Sequence, residues 1–266
     1  IADCAALKER AAAHAAPVWV AMEYRYMPPI AELVHSVRAG DIGALKMFAI
    51  REHRYPFLEK VGDWNRFSAR TGGTLVEKCC HFFDLMRLIV GAEATRLYAS
   101  GAMDVNHRDE RYDGKAPDIL DNAFVTVDFA NGARAALDLC MFADGSYWQE
   151  EIAATGDRAK VECFIPGPAR FWKGEGGFPE AEIALSPRGE KNPRRRKVHV
   201  DEKALAAGDH HGSTYYQHLR FRDAILGDGD VEVTMEDGLK AVVIGLAAEI
   251  SAREKRAVEI EGLAIR

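Results

Sequence analysis

Residues 121–142, DNAFVTVDFANGARAALDLCMF, decide the fold class of this chain. Apolar and polar residues alternate on both sides of the pair Asn131-Gly132, and this alternation predicts two strands that each bury one face. An Asn-Gly pair suits a tight hairpin turn, because both central residues of such a turn need a positive φ. The stretch therefore predicts an antiparallel β-hairpin.

Strand and helix patterns on either side of this hairpin enlarge the predicted sheet. Strands are predicted over residues 45–55, 95–103, 149–155, 159–165 and 257–260. The Gly-, Pro- and charge-rich residues 166–209 predict excursions at the sheet edge, with RKVHVD as their best strand. Amphipathic patterns predict helices over residues 30–40, 72–90, 214–226 and 235–254. The sequence thus predicts an α+β fold with a large, mostly antiparallel or mixed open sheet and helices on one face.

The N-terminal residues have a different character. The alanine-rich residues 2–15 predict a helix, and VWVAM, residues 18–22, predicts a strand buried on both faces. A helix that leads into a buried strand is typical of the last repeat of a parallel α/β layer. We therefore expect residues 1–22 to end such a layer, whose earlier part is absent from this chain, and residues 23–266 to form the α+β domain.

Composition argues against several classes of partner. The net charge is −6, from 41 acidic and 35 basic residues, and this balance does not favour nucleic acid. The run Arg194-Arg195-Arg196-Lys197 predicts a solvated loop. No apolar run approaches the ~20 residues that span a bilayer, and no secretory signal opens the chain. We expect a soluble, cytoplasmic protein that binds neither nucleic acid nor membrane. Its cysteines lack CxxC spacing and predict reduced, packed thiols at positions 4, 79, 80, 140 and 163.

Polar residues interrupt the apolar run GGTLVEKCCHFFDLMR, residues 72–87. If this run is one helix, Glu77 and His81 are four residues apart and share a face with Asp84. Histidine titrates near neutral pH and suits proton transfer, whereas a buried histidine can also be a simple core residue. The carboxylate nearby favours the catalytic interpretation. Lys78 lies about 100° around the helix from Glu77 and predicts only a neighbour contact.

These segments resemble the Gfo/Idh/MocA oxidoreductase family along essentially the whole chain. Residues 1–29 resemble the segment after that family's Glu-Lys-Pro motif, and RAGDIGALKMFAIREHR resembles its helix-to-first-strand passage. GGTLVEKCCHFFDLMR resembles its Gly-Gly, Asp-x-x-x-His and downstream Asp motif, and residues 234–260 resemble its closing helix and strand. Two departures are the lack of any counterpart to the glycine-rich loop and to the Glu-Lys-Pro lysine, and Glu77 in place of aspartate.

The resemblance implies a Rossmann domain, of which residues 1–22 would be the remnant, followed by a substrate-binding and catalytic domain. It implies NAD or NADP as cofactor and a hydride transfer to or from a secondary alcohol of a sugar, an inositol-like polyol or a related compound. His81 would be the base and Glu77 its partner. Substrate contacts are expected among His53, Arg25, Trp64, Arg66, His210, His211 and Tyr215; the alternatives are ordinary surface, packing or ion-pair roles. No cofactor-binding residue and no metal ligand is assigned.

Two other functions remain open at this level. Glu77 and His81 could bind a metal ion, completed by His210 or His211, although no HExxH motif accompanies them. The chain could instead be a non-catalytic binding or assembly module. We also expect the open face of the sheet to form the interface of a homodimer or homotetramer. The alternating pattern supplies apolar residues to one face or the other, namely Val125, Val127, Leu137 and Leu139.

Overall fold

A computed structural model describes residues 1–172, 178–261 and 263 of the chain. Residues 173–177, in the predicted excursion, and residues 262 and 264–266 lie outside this description. The strands are β1 (Leu45–His53), β2 (Ala94–Ala102), β3 (Asn122–Phe129), β4 (Arg134–Cys140), β5 (Glu150–Gly156), β6 (Ala159–Ile165), β7 (Ala181–Pro187), β8 (Arg194–Val198) and β9 (Val258–Glu259).

The strands form one mixed sheet. Within the described residues its order is β8-β7-β6-β5-β1-β4-β3-β2-β9. The β1–β4 pair is parallel, whereas the other neighbouring pairs are antiparallel. The predicted hairpin is β3–β4, joined by residues 130–133. Gly132 takes a φ of 81°, whereas Asn131 does not take a positive φ, so the turn is longer than the expected two-residue turn. The α+β class and the open mixed sheet are confirmed.

The α-helices are α1 (Ala2–Ala12), α2 (Pro28–Arg38), α3 (Ser68–Thr71), α4 (Thr74–Glu77), α5 (Cys80–Val90), α6 (Glu202–Ala206), α7 (Ser213–Leu226) and α8 (Met235–Glu254). Short 3₁₀ helices cover Glu23–Tyr26, Val61–Arg66, Ala169–Phe171 and His210–Gly212. Helix α8 packs on β2 and α5, helix α5 packs on β1, and helix α2 packs on β6 and β7. These contacts cover one face of the sheet.

The core lies between this helical layer and the sheet. Phe48 and Ile50 of β1 alternate with exposed residues, as do the inward residues of β3 and β4. Burial of these side chains is the main favourable contribution to folding. The sequence did not decide which face of the sheet carries four of the apolar residues. All four lie on the helix-covered face: Val125, Val127, Leu137 and Leu139. Among the cysteines, Cys79 and Cys163 are buried, and Cys4, Cys80 and Cys140 are half-buried.

Two local predictions are wrong, and a third holds only in part. Residues 18–22 form no strand in the described chain; a strand needs neighbours for its backbone groups, and here Val20 N–H donates to Val233 O at 3.1 Å. The predicted loop at residues 194–197 belongs to the edge strand β8, because exposed charges are compatible with an edge. The predicted helix over residues 72–90 is present, but as α4 and α5 with a break at Lys78-Cys79. The Rossmann assignment of residues 1–22 stays a prediction.

No helix in the described ranges combines the length and the apolar character needed to cross a bilayer.

Candidate functional site

His81 lies in the first turn of α5 and faces a carboxylate from another element. Its Nδ1 is 3.3 Å from Oε2 of Glu23, which begins the 3₁₀ helix Glu23–Tyr26. The two groups are at ion-pair distance, but Nδ1 is enclosed and not aligned for a hydrogen bond. No hydrogen bond to Nε2 is formed within residues 1–172, 178–261 and 263, and 20% of the side chain remains exposed. Nε2 is therefore the ring nitrogen free to meet a substrate.

The surroundings keep the imidazole of His81 neutral near neutral pH. Burial lowers the pKa of His81, and the positive charge of Lys78 lowers it further. The carboxylate of Glu23 raises the pKa of His81, as Asp84 and Glu52 do more weakly. Burial is the largest of these effects, so the net direction is downward. A neutral imidazole with one free nitrogen is a proton acceptor.

Glu77 does not pair with His81. The helix ends at Glu77 and restarts at Cys80, so the spacing of four residues no longer places the two side chains on one face. Within the described residues no ion pair of 4 Å or less joins them. Burial raises the pKa of Glu77, and Lys78 and Lys60 oppose that effect. The expected face shared by Glu77 and His81 is therefore absent, and Glu23 takes the place next to the imidazole.

Lys78, at the break between the helices, points into the interior. Its Nζ is 3.0 Å from Oε1 of Glu52 and donates to the hydroxyl of Tyr24 at 2.9 Å. Only 8% of the lysine side chain and none of the Glu52 side chain is exposed. Arg54 completes the group, with Nη1 at 3.4 Å from the same Oε1 of Glu52. Such buried charges persist only when they are paired, as they are here.

A second glutamate faces this group from the next strand. Glu150 lies opposite Glu52 in the β1–β5 register, and it accepts from Gln149 Nε2 at 2.7 Å. Burial, followed by the charge of Glu52, raises the pKa of Glu150 to about 7. Oε2 of Glu52 is enclosed and has no hydrogen-bond partner among the described residues. An orphaned buried oxygen of this kind is uncommon in folded proteins and marks a polar site.

Sequence reasoning missed the cluster formed by Tyr24, Glu52, Lys78 and Glu150. The sequence did contain one sign of this cluster. Phe48, Ile50 and Glu52 alternate on the same face of β1, so a charged residue lies on the side that faces the core. The prediction selected His53 instead. His53 has the opposite phase, and its Nε2 lies 3.1 Å from Asp138 on the open face.

The two neighbouring histidines of the 3₁₀ helix His210–Gly212 have different environments. The His210 ring lies 5.0 Å from the Tyr24 ring, centroid to centroid. Burial, followed by the charges of Lys78 and Arg54, lowers the pKa of His210 to about 3. His211 is buried, with Nε2 3.0 Å from Pro166 O, and it stacks on Phe178. The structure therefore brings His210 to the site of His81 and leaves His211 in a packing position.

Arg25 lies next to Glu23 in sequence, but its guanidinium faces another group. It donates through two nitrogens to the two carboxylate oxygens of Asp84 in α5, and its Nη1 donates to Glu232 O at 3.0 Å. The ion-pair alternative for Arg25 therefore has Asp84, and not Glu23, as its partner. This pair ties the 3₁₀ helix of Glu23 to the helix of His81.

The remaining predicted substrate contacts are dispersed. Arg66 is buried, donates to Glu110 at 2.9 Å, and lines a separate cavity of about 410 Å³ with Tyr55 and His107. Trp64 is exposed on the 3₁₀ helix Val61–Arg66. Tyr215 is exposed and packs on Tyr216, with ring centroids 5.6 Å apart. None of these contacts places the three side chains beside His81.

No cluster of three or more His, Cys, Asp or Glu residues suited to a metal ion occurs in the ranges 1–172 and 178–261. In this region His81 lies against Glu23 and Tyr24, and His210 lies against Tyr24.

Sequence comparison finds two similar proteins. A Bacillus subtilis protein named uncharacterized oxidoreductase YrbE is 26% identical over 259 residues, which cover 93% of this chain and 64% of the relative. A myo-inositol 2-dehydrogenase from Thermotoga maritima is 26% identical over 234 residues, covering 86% of this chain and 60% of the relative. The chain thus spans less than two thirds of the length of either relative.

Structure comparison shows the same fold. An NAD binding oxidoreductase from Klebsiella pneumoniae superposes with a TM-score of 0.75 at 15% identity, over 97% of this chain and 70% of that one. The sequence model of the oxidoreductase family, C-terminal alpha/beta domain, matches residues 35–260. Because this match covers most of the chain, the protein belongs to the Gfo/Idh/MocA oxidoreductase family and contains its C-terminal α/β domain.

Proposed function

We propose that this chain is the substrate-binding and catalytic part of an NAD- or NADP-dependent oxidoreductase that acts on a secondary alcohol of a sugar, an inositol-like polyol or a related compound. The observation that carries the proposal is the neutral imidazole of His81, with Nδ1 against Glu23 and Nε2 free of protein partners. The name of the Thermotoga maritima relative, myo-inositol 2-dehydrogenase, supports the substrate class.

The chain's own residues would supply the proton transfer. Nε2 of His81 would accept the proton of the substrate hydroxyl while the carbon that bears this hydroxyl gives up its hydrogen as hydride. Glu23 then stabilises the imidazolium from the Nδ1 side, as a carboxylate does when it orients a catalytic histidine. The 3.3 Å contact needs only a small adjustment to become a hydrogen bond, and such contacts often tighten when substrate binds. The nicotinamide would accept or donate the hydride.

The described residues do not fit the phosphates of a dinucleotide. The sequence contains no GxGxxG loop, the motif that presents free amide groups to a pyrophosphate. The glycine pair nearest to His81 in sequence, Gly72-Gly73, donates its amides to Ser68 O at 2.7 Å and to Thr71 Oγ1 at 3.0 Å. We therefore propose that the dinucleotide is held outside this chain's residues, which is compatible with the greater length of both relatives.

Assembly through the open face of the sheet is part of the same proposal. Phe124 of β3 and Met47 of β1 are 66% and 58% exposed there. A cavity of about 390 Å³ on this face is lined by Phe124 together with the charged residues Arg51 and Glu162. Exposed apolar side chains on a broad sheet face favour pairing with a second copy, and a homodimer or homotetramer is expected.

Substitution of His81 in the protein with its dinucleotide-binding part present tests the function. His81→Ala should lower kcat by roughly 10²- to 10⁴-fold, the usual contribution of a positioned acid-base group, whereas dinucleotide affinity should be retained. His218→Ala is the matched control, because His218 is an exposed histidine whose Nδ1 contacts Thr214 O. Turnover of inositol or a sugar would be followed by nicotinamide absorbance.

A second comparison separates the two carboxylates. Glu23→Gln should lower kcat more than Glu77→Gln, because Glu23 faces Nδ1 of His81 and Glu77 does not. Near-normal turnover by folded His81→Ala would show that His81 is a packing residue and would remove the basis of the proposal. A greater loss from Glu77→Gln would instead support the pairing that the sequence suggested.

A further inference from the structure

Tyr24 joins the buried charges to the two histidines. It is 1% exposed, and its hydroxyl accepts from Lys78 at 2.9 Å and donates to Glu150 Oε1 at 3.5 Å. The ring of Tyr24 lies 5.3 Å from the ring of His81 and 5.0 Å from the ring of His210. One side chain thus contacts both imidazoles with its ring and the charge cluster with its hydroxyl.

Lys78 fixes the position of that ring. Its ammonium group is held by Glu52 at 3.0 Å, and it lies 4.9 Å from the centroid of Tyr24 and 5.1 Å from that of Phe82. A buried ammonium with two aromatic neighbours, one carboxylate and one hydroxyl has little freedom to move. At the break between α4 and α5 the Lys78 side chain turns inward, and this direction brings its ammonium group to Glu52 and Tyr24.

We infer that Lys78 and Tyr24 act together as positioning residues, with Tyr24 holding the rings of His81 and His210 in place and Lys78 holding Tyr24 and disfavouring a positive charge on either ring. This inference rests on the proposed function for its catalytic meaning, but the arrangement itself can be measured without substrate. It assigns a role to a lysine within the motif of residues 72–87 for which the sequence indicated only a neighbour contact.

The charges around each histidine give the expected signs. The groups that act on His81 are Glu23, Lys78, Asp84 and Glu52, and of these only Lys78 lowers its pKa. For His210 the lowering charges are Lys78, Arg54, His81 and His211. Asp84 is paired with Arg25 and Glu52 with Lys78. Removal of the Lys78 charge should therefore raise the pKa of both histidines.

Histidine titration by NMR on the full chain provides the test. Resonances would be assigned from His81→Gln and His210→Gln, and pKa values would be read from the pH dependence of the ring shifts. Lys78→Met should raise the pKa of His81 and His210 by on the order of one unit, a shift typical of a nearby charge. Lys160→Met is the control, because Lys160 is a half-buried lysine paired with Glu162 on the open face, and it should shift neither histidine.

A double variant covers the case in which Lys78→Met does not fold because Glu52 loses its partner. Lys78→Met/Glu52→Gln removes both charges; the pKa of His210 should still rise, whereas that of His81 should rise less, since Glu52 raises it in the native chain. Tyr24→Leu should raise the pKa of both histidines, because it removes the ring that covers them. Phe178→Leu, its control, should affect His211 alone.

An unchanged pKa of His210 in both lysine variants would overturn the electrostatic part of the inference. A shift of only one histidine in Tyr24→Leu would overturn the shared positioning. In the active protein, Lys78→Met should also move the acidic limb of kcat to higher pH, a change that a merely structural loss does not produce. The titration does not depend on turnover, so it can fail or succeed separately from the proposed base role of His81.

Discussion

Asp84→Ala should strongly destabilise the protein. The side chain of Asp84 has no exposed surface and that of Arg25 is 10% exposed, so the substitution leaves a nearly buried guanidinium. Its remaining partners are Glu232 O at 3.0 Å and Asp237 at 4.0 Å. Removal of one partner of a buried ion pair costs about 3–5 kcal/mol of unfolding free energy, because the other charge stays desolvated. At about 2–4 °C per kcal/mol for a chain of this size, Tm should fall by roughly 6–20 °C.

The double variant Arg25→Met/Asp84→Leu should recover most of this loss. Burial raises the pKa of Asp84 in spite of its hydrogen bonds to Arg25, which indicates that the pair does not fully offset the desolvation of the carboxylate. Replacement of both charges by apolar side chains of similar size is therefore expected to be close to neutral. The control is Glu254→Ala, which breaks an exposed ion pair with Arg256 at 2.6 Å and should cost about 0–1 kcal/mol.

Urea unfolding followed by tryptophan fluorescence would measure these differences. A loss from Asp84→Ala no larger than that from Glu254→Ala would refute the argument that the pair is buried and uncompensated. The double variant also decides between the two interpretations of Arg25. If stability returns and KM stays unchanged, Arg25 is a structural residue; if stability returns while KM rises, Arg25 contacts substrate as the sequence predicted.

Two further predictions concern pH and assembly. Burial raises the pKa of Glu249 to about 7 from 4.5, so this group favours the folded state at low pH and its contribution is lost as pH rises from 4.5 through 7. Glu249→Gln should therefore raise the unfolding free energy at pH 8 and change it little at pH 4, measured by urea unfolding at both values. Phe124→Asp, on the open face, should reduce an oligomer to monomer in light scattering, whereas Leu226→Asp, at an equally exposed position at the end of α7, should not; a monomeric parent protein at micromolar concentration would contradict the proposed assembly.

The sheet was predictable because its signals are local. The alternation around Asn131-Gly132 predicts β3 and β4, and Gly132 has the positive φ that the turn needs. The capping pair Thr234 and Asp237 begins α8, where the Thr234 side chain accepts from Asp237 N. The order of the strands was not predictable in this way, because the parallel β1–β4 pair joins residues 87 positions apart, such as Met47 and Arg134, through tertiary packing.

The site was less predictable than the sheet, because it depends on two backbone details. The first is the break after Glu77, where Lys78 N–H and Cys79 N–H both donate to Thr74 O, at 3.0 and 3.4 Å. Several residues of this segment, among them Cys79, Cys80 and Phe82, have only moderate helix propensity, and the buried partners Glu52 and Tyr24 hold Lys78 in its inward position. The second is the phase of β1, which could be read from Phe48 and Ile50 and places Glu52 inside.

The backbone next to His81 bears its own indication of function. His210 and His211 have φ values of 59° and 53° and are followed by Gly212 at 77°. A left-handed conformation costs a residue other than glycine about 1–3 kcal/mol and persists only where the surroundings enforce it. Here His211 is held against Pro166 O and Phe178, and Gly212 approaches Ala204 so closely that a Cβ would lie 2.8 Å from its methyl group. These contacts hold the strained turn, and the turn places the His210 ring against Tyr24, whose ring also lies against His81, so the strain occurs beside the proposed base.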